Sequence, residues 1–162
     1  MIQGYVARAK AAQAVLAEYD QEKIDSIVRA IAKYVYDNAA PLAKMAVEET
    51  QMGVYEDKIA KNQGKSRIIW NALKGKKSRG VLRVLEQDGL IEVAKPMGVV
   101  AAVTPCTNPI VTPMCNAMFA IKAGNAVIIA PHPRAKKCAV ELDNAFRAIL
   151  KSLDAPEDIY QT

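Results

Sequence analysis

At 162 residues the chain is long enough for one ordinary domain with a sizeable core. Its 22 basic and 17 acidic side chains leave a net charge of +5, which permits anionic ligands without naming one. Three cysteines at 106, 115 and 138 have no metal-like pair spacing, and the odd count fits a reducing compartment better than a disulfide scaffold. No apolar stretch approaches the ~20 residues that cross a bilayer. The start, MIQGYVARAK, lacks the apolar centre of a signal peptide, so a cytoplasmic protein without a membrane partner is expected.

Residues 5–18 repeat Val6, Ala9, Ala11, Ala12, Val15 and Leu16 with Arg8 and Lys10 between them, the pattern of an amphipathic helix. Asp20, Lys23 and the periodic set Ile24, Ile27, Val28, Ile31 and Val35 predict a second helix that Asn38 ends. Pro41 suits the first turn of a third, carrying Leu42, Met45 and Ala46 toward Gly53. These helices read as a packed layer without chemistry of their own. A fourth helical stretch over 54–73 is interrupted near Asn62-Gln63-Gly64. Gly64-Lys65-Ser66 has the ending of a phosphate-binding P-loop, but the motif's first glycine falls on Ile59 and no strand precedes it, so that motif fails. Trp70, the single tryptophan, reads as a core or interface anchor.

The basic run at 74–79 reads as a solvated connection. Nothing aromatic interleaves it and no nucleic-acid fold signature accompanies it, so no nucleic-acid partner is expected. Two β-prone runs follow, 81–85 and 90–93, with the turn signal Asp88-Gly89 between them. Alone, such a hairpin is marginally stable and needs a partner.

Residues 98–103 and 126–130 are short apolar runs separated by about one helix length, which suits parallel strands buried on both faces. The Met-, Ala- and Ile-rich segment 109–122 between them ends at Gly124, a helix-stop position. Together they form a βαβ unit, whose ligand sits outside the carboxyl ends of the strands. That directs attention to two proline-rich loops, Thr104-Pro105-Cys106-Thr107-Asn108-Pro109 and Pro131-His132-Pro133-Arg134. Asn108 before Pro109 has the sequence of a helix N-cap, and Thr112-Pro113 repeats it. Cys115 and Cys138, on predicted helices, read as small buried hydrophobes. Residues 135–150 form the next amphipathic helix, and 154–160 approach a further strand. A sheet cut at that point has an unpaired edge. No GxGxxG occurs, so an ordinary Rossmann phosphate turn is absent.

Three stretches, PLAKMAVEETQMGVYEDKIAKN at 41–62, TPCTNP at 104–109 and KAGNAVIIAPHPRAK at 122–136, resemble in content and order the coenzyme A-acylating aldehyde dehydrogenases, including the aldehyde half of bifunctional alcohol/aldehyde dehydrogenases. The resemblance implies an α/β fold in three parts. These are an N-terminal helical layer over 1–78, an oligomerisation-arm hairpin over 79–95, and over 96–162 the first part of a parallel Rossmann-like sheet that binds NAD or NADP. It also implies a homo-oligomer. Family members are much longer and the matches fall in their N-terminal part, so a fragment is expected.

The implied reaction converts a small-molecule aldehyde to an acyl-CoA: a cysteine thiolate attacks the aldehyde, hydride passes to NAD(P), and coenzyme A removes the acyl group. The family's nucleophile lies beyond Thr162, so none of the three cysteines takes that role. By resemblance Asn108 donates to the transient oxyanion, with the helix cap as its alternative role. Thr107 is second choice because a gapless alignment sets it on the family's asparagine. Thr104, Pro105 and Cys106 are expected beside the nicotinamide, and His132, Pro133 and Arg134 beside the adenosine half of the cofactor. The wider family's ribose-binding lysine is replaced by Ala130, which leaves NAD against NADP open. No metal is expected. A hydrolytic aldehyde dehydrogenase and a non-catalytic nucleotide- or partner-binding chain are the alternatives.

Overall fold

The computed structural model describes residues 2–162. Local signals place most of the helices. Asp20 caps α2 (Gln21–Asp37), its carboxylate accepting from the Lys23 amide at 2.8 Å, while Asn38 closes the other end through its backbone and side-chain amides on the Tyr34 carbonyl. The 3.6-residue repeat then buries Ile24, Ile27, Val28, Ile31 and Val35 completely, each contributing roughly 1.5–3 kcal/mol. This makes α2 the central helix, packed on α4 (Tyr55–Leu73), α5 (Val111–Lys122) and α6 (Lys136–Ser152). Before it, α1 (Ile2–Ala17) turns Ala9, Ala12 and Leu16 toward the sheet. After it, α3 (Ala39–Thr50) carries Pro41 in its first turn and ends at Gln51, which is left-handed at φ 55°.

The expected interruption at 62–64 is absent, because α4 runs unbroken from Tyr55 to Leu73. Asn62 does not compete for its own backbone. Its buried amide donates to the Ala39 carbonyl of α3 at 3.1 Å, and Ser66 returns a hydroxyl to the Asn62 carbonyl at 2.6 Å. Gly64 simply occupies a helical position with open space beside it.

Strands β1 (Gly80–Leu85) and β2 (Leu90–Ala94) pair antiparallel around a turn of 3-10 helix, Glu86–Asp88, completed by Gly89 at φ 64°. Arg83 and Glu92 pair across the ribbon. Val81, Val84, Leu90, Ile91 and Val93 remain exposed, so the ribbon has no core of its own.

The second sheet is parallel, in the order β3-β4-β5, with β3 (Val99–Thr104) and β4 (Ala126–Pro131) in register from Val99 opposite Ala126 to Thr104 opposite Pro131. β5 (Tyr160–Gln161) pairs with Val127 and Ile128. The α/β architecture with a parallel sheet is as expected, but burial on both faces holds only for the start of β4. In β3 the inward side chains Ala102 and Thr104 are buried, while Ala101 is exposed and Val103 is 85% exposed. The helices cover one face, and α1 reaches only part of the other.

Much of the 122–125 word serves the framework. Lys122, almost fully buried, pairs with Asp25 of α2 at 2.5 Å. Asn125 accepts from the Gly98 amide at 2.9 Å and donates to the Ala120 carbonyl at 3.3 Å, which aligns the entries to both strands. Phe146 of α6 stands edge-on to Tyr34 and Tyr160 at 6.2 and 5.0 Å, tying α2, α6 and β5 into one core. No helix of the described residues is long and apolar enough to cross a membrane.

Candidate functional site

Parallel pairing brings the ends of β3 and β4 together, and one bond carries the alignment into the loops. The His132 amide donates to the Thr104 carbonyl at 3.1 Å, so 104–109 and 131–134 leave the sheet side by side. Thr104 itself is buried, Pro105 and Thr107 are exposed, and Cys106 is half-buried with its Sγ 3.6 Å from Met52 Sδ. His132 begins a short 3-10 turn, its Nδ1 accepting from the Arg134 amide at 3.1 Å. Any ring proton it carries in the neutral form therefore sits on Nε2. Arg134 spends one guanidinium N–H on the Thr50 carbonyl at 2.5 Å. The small cavity beside Asn108, about 10 Å³, is lined by Ala46 of α3, by Lys58, Lys61 and Asn62 of α4 and by residues 108–111, and does not extend to His132.

Asn108 is not the cap of α5. That helix starts at Val111 after Ile110, with no side-chain cap, because the Asn108 side chain is engaged elsewhere. Its Oδ1 accepts from Lys61 Nζ at 3.1 Å, and only its backbone carbonyl serves the helix, receiving the Thr112 amide at 3.3 Å. The Lys61 bond fixes which end of the amide is oxygen and turns Nδ2 away from the lysine.

The supports of both loops come from the end of α3, a helix whose sequence carries no chemistry of its own, and from the start of α4. Glu49 accepts the Lys137 and Cys138 amides at 2.7 and 2.8 Å, placing a carboxylate on the N-terminus of α6. Lys58, 7% exposed, donates to the Thr107 carbonyl at 3.1 Å. Gly53, at φ 83°, leaves room for it: a Cβ there would lie 2.8 Å from Lys58 Cε. The missed signal is a polar stripe, since Lys58, Asn62 and Ser66 recur every four residues and are the buried residues of α4.

Burial pushes the Lys58 ammonium below its usual range, and the charge of Lys61 adds to this against smaller opposing effects from Cys138 and Cys106. Burial alone would raise the Glu49 carboxyl. The two amide donors, with a hydrogen bond from Cys138 and the charge of Lys137, outweigh it and hold the group below the usual carboxylate range. Cys138 is pushed up to about 12 by burial and by the neighbouring Glu49, and burial also raises Cys115. Neither thiol has the electropositive, open setting of a nucleophile.

Residues 2–162 match the aldehyde dehydrogenase family. The succinate-semialdehyde dehydrogenase (acetylating) of Clostridium kluyveri is 54% identical over 160 residues, covering 99% of this chain and 35% of that protein. Among solved structures, an acetylating aldehyde dehydrogenase from Geobacillus thermoglucosidasius superposes with a TM-score of 0.93 at 38% identity, over 98% of this chain and 35% of the other. The propionaldehyde dehydrogenase of Rhodopseudomonas palustris with bound propionyl-CoA gives 0.83 at 30% identity, over 100% and 36%. The chain thus spans about a third of the length of the relatives it matches.

Proposed function

Because this chain belongs to the aldehyde dehydrogenase family, we propose that it forms part of the cofactor-binding portion of a CoA-acylating enzyme. That enzyme oxidises an aldehyde with NAD or NADP and delivers the acyl group to coenzyme A. The acetylating activity named for the Clostridium kluyveri relative supports the reaction class. The observation that carries the site is the His132–Thr104 bond, which sets the two proline-stiffened loops in one place at the carboxyl ends of parallel strands.

The exposed and half-buried groups there suit an anionic dinucleotide: Arg134 keeps N–H groups beyond its bond to Thr50, and His132 Nε2 and the Asn108 N–H groups are hydrogen-bonding groups not committed to the fold. In this reading Thr104, Pro105 and Cys106 border the nicotinamide, and His132, Pro133 and Arg134 border the adenosine half. When bound, the dinucleotide supplies the hydride acceptor. Asn108 donates to the oxygen that gains charge, and Thr107 is the second candidate for that donation. Proline on both sides limits loop motion, so the donors are ordered before ligand arrives. A homo-oligomer joined through the exposed β1–β2 ribbon and a cytoplasmic location with three free thiols belong to the same reading.

The test is product analysis of the full-length protein with and without coenzyme A. Acyl-CoA formed only when coenzyme A is present, with stoichiometric NADH or NADPH, is the expected result. Free acid formed equally well without coenzyme A refutes the acylating assignment. This chain by itself is expected to form no NADH.

A further inference from the structure

We propose that Lys58 and Lys61 are a pair of positioning cations that polarise the two amide groups of Asn108, making it a stronger donor toward negative charge at the 104–109 loop. The inference rests on the role assigned to Asn108 above and adds how that role is strengthened. In an amide, oxygen and nitrogen share one conjugated system, so a cation on the oxygen draws density from the nitrogen and strengthens its N–H as a donor.

Both Asn108 amides meet this condition. Lys58 donates to the Thr107 carbonyl at 3.1 Å, and that carbonyl belongs to the same peptide plane as the Asn108 N–H. Lys61 donates to Asn108 Oδ1 at 3.1 Å, at the other end of the side-chain amide from Nδ2. Neither ammonium forms an ion pair with a carboxylate among the described residues, so neither charge is cancelled at close range. The polarised N–H groups are not used up within the fold. Among the described residues the Asn108 backbone N–H meets no acceptor, and Nδ2 has only a long contact of 3.4 Å to Thr107 Oγ1. The effect is greatest through Lys58, whose surroundings exclude water, and weaker through exposed Lys61, where solvent and salt screen it. Two lysines merely fastening α4 to the loop would do equally well with neutral donors, and the experiment turns on that difference.

Amide spectra of this chain labelled with 15N provide the first measurement. Lys61→Gln retains a neutral donor, whereas Lys61→Arg retains the charge. The Asn108 Nδ2 protons should move upfield in Lys61→Gln and stay near their wild-type positions in Lys61→Arg. In Lys58→Met the backbone N–H of Asn108 should move upfield while the Nδ2 protons hold still. Because Lys61 is exposed, its variants keep the test open even if Lys58→Met does not fold. In the full-length enzyme, Lys61→Gln should lower kcat about two- to fivefold, the scale of an exposed, screened charge and far less than the 10²–10³ lost when an oxyanion donor is deleted, with KM for the nucleotide unchanged. Unmoved Asn108 resonances in Lys61→Gln, or an unchanged kcat, overturn the proposal. A wild-type enzyme with no aldehyde-dependent NADH formation would remove the parent reading, while upfield shifts in this chain would still support polarisation by the lysines.

Discussion

Replacing Gly53 with alanine probes the support of the site at its narrowest point. Two costs add. Alanine at φ 83° lies in the left-handed region, worth about 1–2 kcal/mol. Its Cβ would also stand 2.8 Å from Lys58 Cε, well inside contact, so the lysine must move and release the Thr107 carbonyl. A hydrogen bond from a charged group contributes about 1.5–3 kcal/mol, and because the displaced ammonium regains water the lower end applies. The sum is about 2.5–3.5 kcal/mol, or roughly 5–14 °C in Tm for a chain of this size. Urea denaturation followed by Trp70 fluorescence measures it. In a Lys58→Ala background the steric part disappears, so Gly53→Ala should there cost only about 1–2 kcal/mol, and the non-additivity reports the contact. Gly64→Ala, in mid-helix with nothing within 4 Å, should stabilise by about 0.5–1 kcal/mol. A Gly53→Ala chain as stable as wild type, or equal costs in both backgrounds, would refute the reasoning.

Glu49→Gln should destabilise by about 1 kcal/mol at neutral pH through a weakened cap on α6. The folded carboxyl lies below the ordinary value of 4.5, so its contribution is fully present above that value and is lost as pH falls through the folded one. The wild-type and Glu49→Gln urea midpoints should therefore converge on acidification, and a constant gap would contradict the carboxylate's role. Alkylation at pH 8, read by intact mass and peptide mapping, should modify Cys106 first and spare Cys138 until the chain is denatured. A pKa of about 12 leaves only about one Cys138 in 10⁴ ionised, and the side chain is fully buried. Rapid labelling of native Cys138 would count against this packing. In the full-length protein, Val84→Lys together with Ile91→Lys should reduce the assembly size seen by sedimentation, since these side chains are 58% and 63% exposed on the ribbon. An unchanged sedimentation coefficient would free the ribbon from that role.

How far the sequence reached depended on the range of the interactions concerned. The Asp20 cap, the buried repeat of α2, the Asp88-Gly89 turn and the strand–helix–strand run from 98 to 130 were legible because each depends on neighbours a few residues away. So was the family, since three separate words kept their order. The continuity of α4 was not legible, because Asn62 acts as a breaker or a tie according to whether the Ala39 carbonyl stands opposite it. Nor was the open face of β3, which depends on where α1 stops covering the sheet.

The residues of this chain alone determined where its helices and strands would form, that two proline-bounded loops would end the parallel strands, and which family they resemble. Only the tertiary structure decided what grips those loops. Glu49 meets Lys137 across 88 positions, Lys58 meets Thr107 across 49, and Lys61 meets Asn108 across 47. Periodicity reports which face a side chain occupies. Which carbonyl or amide waits opposite that face is set by the packing of α3 and α4 on α2, α5 and α6, and that packing is where two lysines and a glutamate become parts of a site.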